Sequence, residues 1–163
     1  MILVAAADDA VTGLWFEGQR HFPACAGQWV ASSDDDSGDG DSGPSDRVHA
    51  RLRSWLDAYF AGENPAIDFP LAPRGTPFQQ RVWSILRQIP YGETTTYGDI
   101  ASRLTAQSAS GRTSARAVGG AVGHNPISLV IPCHRVIGAT GSLTGYAGGL
   151  DRKTALLTLE GVL

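Results

Sequence analysis

Asn125-Pro-Ile-Ser-Leu-Val-Ile-Pro-Cys133-His134-Arg135-Val136 sets a cysteine and a histidine side by side at the end of an apolar run. The residues between Pro126 and Pro132 predict a short buried strand whose ends are fixed by the two prolines. A thiol is then held at the rim of a core. The thiolate is the form that attacks carbon or sulfur, and a neighbouring imidazole is one of the few side chains able to take its proton near neutral pH. Adjacent residues of a strand face opposite ways, so Cys133 and His134 meet only if the chain turns at Pro132 or a water bridges them. For the dipeptide alone, an inert buried cysteine beside a surface histidine is the plain alternative.

Two features outside the dipeptide favour chemistry. Gly123-His124-Asn125-Pro126 is a helix-stop sequence, and the Asn125 amide can bond local backbone and lock the approach to the cysteine; a simple turn role is its alternative. Downstream, Gly148-Gly149-Leu150-Asp151 opens a helix on which Leu156, Leu157 and Glu160 share one arc at about 100° per residue. Glu160 therefore points inward, where His134 is the partner it would orient. Its place at the helix end leaves a solvated carboxylate equally compatible with the spacing.

These residues resemble the acceptor site of the O6-alkylguanine-DNA alkyltransferases, the methylated-DNA-protein-cysteine methyltransferases. The likeness extends, in the family's order, to Gly75-Thr-Pro-Phe-Gln-Gln-Arg-Val-Trp83, Ile89-Pro-Tyr-Gly-Glu-Thr-Thr-Thr-Tyr97-Gly-Asp-Ile-Ala101, Ala115-Arg116-Ala-Val-Gly-Gly-Ala121 and Leu143-Thr-Gly-Tyr146-Ala-Gly-Gly-Leu150. It covers roughly Gly75 to Gly161. The resemblance implies direct repair of O6-alkylguanine and O4-alkylthymine by irreversible, single-turnover transfer of the alkyl group to Cys133 after base flipping. Cys133, His134, Glu160 and Asn125 form the implied catalytic set, with no metal or organic cofactor. Implied DNA and base contacts are Tyr97 beside the flipped base, Arg116 filling the gap it leaves, Ala117, Gly119 and Gly120 on a thin helix, and Tyr146 in the wall of the alkyl pocket. Read alone, Arg116 is as well suited to a phosphate contact, and either tyrosine to a core position.

The chain has 163 residues, enough for one compact domain or two small ones sharing an interface. The expected class is α/β (α+β). A small N-terminal β-containing domain spans residues 1–73 and a helical DNA-binding and alkyl-acceptor domain spans 74–163. The resemblance implies a ribonuclease-H-like fold for the former, with the chain starting abruptly and lacking the family's first strand. Two cysteines, Cys25 and Cys133, and no basic-apolar-small leader at Met1 to Ala7 point to a reducing, cytoplasmic setting. No apolar run reaches the roughly 20 residues of a membrane span. The net charge is -3, yet Ser32 to Asp46 carries six aspartates and no base, leaving +3 on the rest. That balance is compatible with DNA without demanding it. The acidic tract at 32–46 reads as a disordered insertion, and it lacks the register of a calcium loop. His21, Cys25 and His49 do not supply four zinc ligands, so ordinary packing is expected of them.

Ile2-Leu-Val-Ala and Gly13-Leu-Trp-Phe read as strands joined at Asp8-Asp9. Asp46 is the expected cap of a helix whose stripe Val48, Leu52, Trp55, Leu56 and Tyr59 is core rather than chemistry. Thr76-Pro77-Phe78-Gln79 is a capping box opening a helix that buries Phe78, Val82, Ile85, Leu86 and Ile89. Thr96 caps a helix holding Tyr97, Ile100 and Leu104, and a second follows from about Ser114 to Val122. The pair predicts a helix-turn-helix with a linker, 105–113, longer than the usual turn. Two adjacent glycines cost that second helix about 1 kcal/mol each against alanine. Something must approach closely there: either a packed neighbour or the DNA minor groove, about 6 Å wide. The expected partner is double-stranded DNA bound through that groove by a monomer, with no membrane involved. Two other classes compete. An alkyltransferase-like lesion sensor lacks the acceptor cysteine that is present here, and a cysteine hydrolase using Cys133, His134 and Glu160 would turn over repeatedly and ignore DNA.

Overall fold

A computed structural model describes residues 1–22, 43–108 and 111–163. Cys25 and the acidic tract up to Ser42 lie outside them, so the expectations placed there are not addressed. The two N-terminal apolar runs form an antiparallel hairpin, β1 (Ile2–Ala7) and β2 (Ala10–Phe16), paired from Ile2 opposite Phe16 to Ala7 opposite Ala10 with an irregularity at Ala5/Ala6. The turn falls at Asp8, in the left-handed region at φ 53°, where a short polar side chain is tolerated. Val11 and Leu14 are fully buried. Leu14 also clasps the cysteine-bearing segment: its N–H donates to the Pro126 carbonyl at 2.8 Å and its carbonyl accepts from the Ser128 N–H at 2.8 Å.

Helix α1 (Pro44–Phe60) begins one turn earlier than Asp46 suggests. Gly43 is the N-cap, with Pro44 in the first turn, where its missing N–H is no loss. Asp46 sits inside that turn, its carboxylate accepting from the Gly43 N–H at 3.1 Å. Val48, Leu52, Trp55 and Tyr59 are buried along one face, as their spacing predicts.

Helix α2 (Pro77–Leu86) opens with the expected reciprocal cap, the Gln79 N–H donating to Thr76 Oγ1 and the Thr76 N–H to Gln79 Oε1. Such a cap is worth about 1 kcal/mol. A two-residue parallel pair, β3 (Thr95–Thr96) with β4 (Val136–Ile137), then ties the start of α3 (Tyr97–Ala106) to the residues just after the cysteine. Helix α4 (Ala115–Gly123), capped by Ser114, packs on α2 and α3 through buried Val118, Ala121 and Val122. The buried Trp83 indole of α2 donates to the Ala121 carbonyl at 2.9 Å. Helix α5 (Leu150–Leu159) closes the described order.

The apolar run from Ile127 to Ile131 is buried, but it is not the expected strand. Ile127 forms an isolated bridge to Leu14, and the next residues turn back on themselves. Val130 N–H donates to Ser128 O, Ile131 N–H donates to Ile127 O, and Leu129 takes a left-handed φ of 68°. For a leucine that conformation costs roughly 1–2 kcal/mol. The physical reason for the turn is Asn125. Its Oδ1 accepts from the Ile127 N–H at 3.0 Å, and its Nδ2 donates to Ile131 O at 2.8 Å and Ile127 O at 3.3 Å. Backbone groups that a strand would pair with a neighbour are satisfied by one amide. A single apolar cluster runs from Val11 and Leu14 through Leu52, Leu86, Ile100 and Ile131 to Leu156. None of the described helices is long and apolar enough to cross a membrane.

Candidate functional site

The chain turns at Pro132, and Cys133–Arg135 make one 3-10 turn. That turn sends the first of three consecutive side chains to Asn125 and the next two to Glu160. Cys133 is buried, with Sγ accepting from Asn125 Nδ2 at 3.1 Å. His134 is fully buried, with Nε2 2.9 Å from Glu160 Oε1. Arg135 reaches the same carboxylate, Nε to Oε2 at 2.8 Å and Nη2 to Oε1 at 2.9 Å, while Nη1 donates to Ile89 O at 2.8 Å. Cys133 and His134 are thus neighbours on a turn without a direct hydrogen bond between them; the partner of the sulfur is Asn125.

Glu160 stands at the C-cap of α5 with its side chain fully buried, so the inward alternative holds over the solvated one. Its Oε1 also accepts from the Tyr59 hydroxyl at 2.6 Å, and its Oε2 from the Gly92 N–H at 3.4 Å. Burial by itself pushes a carboxyl up, but the donors from His134 and Arg135, joined by Tyr59, hold Glu160 down at about 2. It is ionised and accepts only. His134 Nε2 therefore carries the proton, which leaves Nδ1 as an acceptor, and Nδ1 is buried with no partner. Burial, opposed by Glu160 and aided by Arg135 and Lys153, lowers the imidazole below its ordinary value, so it rests neutral. The thiol is pushed up by burial, against the pull of the Asn125 hydrogen bond and the Lys153 charge. At rest, then, a neutral thiol stands next in the chain to a neutral imidazole that keeps a free lone pair at Nδ1.

Tyr97, at the start of α3, donates to Thr144 O at 3.0 Å and more weakly to Gly145 O at 3.4 Å; burial and the nearby Cys133 raise its hydroxyl to about 12. Tyr146 sets its ring edge-on to His134 with centroids 6.5 Å apart, and its buried hydroxyl has no partner. Ala115, Arg116, Ala117 and Gly120 lie on the exposed side of α4, with Gly119 partly covered. A Cβ at Gly120 would meet nothing within 4 Å, and one at Gly119 would make ordinary 3.8 Å contacts with the Tyr97 ring. Internal packing therefore requires neither glycine. Among the described residues no group of three potential metal ligands occurs, and His21 stacks on His124 at 3.9 Å between ring centroids.

Three residues of the site have no role in the sequence reading. Arg135 stands in the quoted stretch, but nothing local says that its guanidinium turns inward. Tyr59 belongs to the α1 core stripe as expected, and only its hydroxyl departs from that reading. Lys153 is fully buried, its ammonium donating to Val136 O and to Thr144 O, and burial lowers it to about 8. A signal for Lys153 exists, because it precedes Leu156, Leu157 and Glu160 by three, four and seven residues on the same helical face.

A buried cysteine, its sulfur held by an amide and its neighbouring imidazole by a carboxylate, is the chemically distinctive centre of this fold. The family model described as the DNA-binding domain of 6-O-methylguanine DNA methyltransferase matches residues 77–162. A Mycolicibacterium paratuberculosis protein named methylated-DNA–protein-cysteine methyltransferase is 46% identical over 160 residues, 98% of this chain and 86% of the relative. Among solved structures, O6-methylguanine methyltransferase of Mycobacterium tuberculosis superposes with a TM-score of 0.78 at 42% identity, covering 98% of this chain and 85% of that one. The M. tuberculosis OGT in complex with DNA gives 0.75 at 43% identity with the same coverage. The chain belongs to the methylated-DNA–protein-cysteine methyltransferase family.

Proposed function

We propose that this protein repairs O6-alkylguanine, and O4-alkylthymine, in double-stranded DNA by one irreversible transfer of the alkyl group to Cys133. The observation that carries the reading is the Glu160–His134 hydrogen bond, which leaves a buried, unpartnered Nδ1 on the residue next to a buried cysteine whose sulfur is engaged by Asn125. Glu160 holds His134 in the tautomer with Nδ1 free. The Cys133 proton passes to Nδ1, through a water or directly, and the thiolate attacks the alkyl carbon in line. The new S–C bond forms as the C–O6 bond breaks and the electron pair leaves on guanine. Tyr97, released from Thr144 O, donates to the base as that charge develops, and Tyr146 walls the alkyl pocket. The resulting thioether offers water no carbonyl to attack, so each molecule acts once.

In this reading α3 and α4 are the two helices of a helix-turn-helix, and α4 enters the minor groove along Ala115, Ala117, Gly119 and Gly120. The openness of Gly120 supports an external neighbour over an internal one. Arg116 fills the space left by the flipped nucleotide. The chain works as a cytoplasmic monomer, with a ribonuclease-H-like N-terminal domain to about residue 73 and the acceptor domain from residue 74. The test is to mix the protein with a duplex carrying one O6-methylguanine and measure intact mass and peptide masses. One methyl on the Cys133 peptide, saturating at one equivalent, is expected. Cys133→Ala should gain none while still binding the lesion duplex. Repair well beyond one equivalent would overturn the acceptor reading in favour of a hydrolase.

A further inference from the structure

Tyr59 lies on α1, 101 residues before Glu160 in the chain, yet its hydroxyl makes the shortest of the contacts to that carboxylate, 2.6 Å. Its ring is fixed: it stacks on Trp55 with centroids 5.2 Å apart and 13° between planes, and meets Tyr91 edge-on at 6.1 Å. A phenyl ring would fill that place as well, so core packing does not ask for the oxygen. A buried hydroxyl carries a desolvation cost that its partner must offset. Because the ionised Glu160 only accepts, Tyr59 must donate, which leaves the phenol lone pairs toward His134 Nε2 at 3.5 Å. The one remaining lone pair of the imidazole is then on Nδ1, which has no partner of its own.

Glu160 Oε1 is shared by Tyr59, His134 and Arg135. Each donor withdraws some of the charge that would otherwise favour a protonated imidazole. We infer that Tyr59 is a positioning residue of the acceptor site: its hydroxyl fixes the Glu160 carboxylate and sets how strongly that carboxylate holds His134, so that α1 takes part in activating Cys133. The inference rests on Cys133 being the acceptor. The other titratable or charged groups facing this cluster are Arg135 on the same turn, Tyr91 after α2 with Arg135 over its ring at 5.6 Å, Lys153 on α5, Tyr146, and Cys133 itself. Tyr59 is the one among them that comes from the N-terminal hairpin-and-α1 portion.

The test uses the full chain and free O6-benzylguanine as probe. The rate of Cys133 alkylation is followed by intact mass across the pH range in which an imidazole titrates. In Tyr59→Phe, Glu160 keeps more charge for His134, so the acid-side midpoint of the rate profile should rise by about half a unit or more, with duplex affinity unchanged. A fluorinated tyrosine at position 59 is a stronger donor and should move the midpoint down. An unmoved midpoint in Tyr59→Phe overturns the inference, even if the rate falls uniformly, because a merely structural hydroxyl predicts that uniform loss. Should Tyr59→Phe not fold, the fluorinated chain decides alone: a midpoint that stays or rises overturns it. Failure of the wild-type protein to alkylate Cys133 would instead strike the proposed function, a separate outcome.

Discussion

The buried cluster around Glu160 and the exposed face of α4 are opposite ways of arranging side chains on one small core. At the cluster nearly every polar atom is engaged: Glu160 receives five hydrogen bonds from Tyr59, His134, Arg135 and Gly92, and Lys153 is buried against two carbonyls. On α4 the side chains are small and open, and the long Arg116 is exposed. The difference teaches where damage should register. A change in the cluster should disturb stability and chemistry together, since each group is counterion or donor to another, whereas a change on the exposed face of α4 should leave the free protein intact and, in the proposed function, register when DNA is bound.

The sharpest way to break that contrast is Glu160→Gln, which keeps the shape and removes the charge, leaving Arg135 buried without its counterion. Loss of one partner of a buried pair costs about 3 kcal/mol or more, to be read from denaturant unfolding. The pH dependence has a definite sign. Glu160 is lowered from an ordinary 4.5 to about 2, so between those values the unfolded chain binds more protons and stability rises with pH. Its contribution is full above 4.5 and lost as pH falls toward about 2. The variant should flatten that part of the acid unfolding curve, and an unchanged curve would place the cluster's stability elsewhere.

Next in size is Arg116→Ala. Unfolding of the free protein should be unchanged, while repair of the duplex falls by about tenfold or more, the scale of a lost aid to unstacking. Reaction with free O6-benzylguanine, which needs no extrusion, should be unaffected. Equal loss on both substrates would move Arg116 into the cluster's category.

The smallest effect sharpens the comparison most. Gly120→Ala meets no atom within 4 Å, so the helix should gain up to about 1 kcal/mol while duplex affinity falls. A variant that is stabler and binds DNA equally well would remove the reason for treating α4 as a groove-entering helix.

These regions also differ in how much the sequence discloses. Local periodicity announces what a helix face does, which is why the α1 stripe and the Thr76 and Thr96 caps are legible, while Glu160 at the helix end is left between an inward and a solvated place. The same rule would have found Lys153. The turn at Ile127 to Ile131 is hidden because an apolar run looks alike whether its backbone is paired by a strand or by the Asn125 amide. Asp46 misleads by one turn, since a carboxylate serves a helix start equally from the cap or from inside the first turn. Tyr59 is hidden for a different reason: its ring obeys the core pattern, and its hydroxyl's destination lies 101 residues away. For Gly119 and Gly120, composition shows that the helix is thin but not that its thin side is vacant.

The 3-10 turn at Cys133–Arg135 has a consequence for how this stretch tolerates change. With about three residues per turn, its side chains fan out from a short arc of backbone, sulfur to Asn125, imidazole and guanidinium to Glu160 from different sides of the turn. A substitution there removes one side chain's contacts but leaves the path of the backbone in place. Adding or deleting a single residue between Pro132 and Val136 rotates every following side chain to a neighbour's address and slips the Thr95–Val136 pairing as well. The segment is therefore fixed in length far more strictly than in composition, a frame that variation can recolour but not resize.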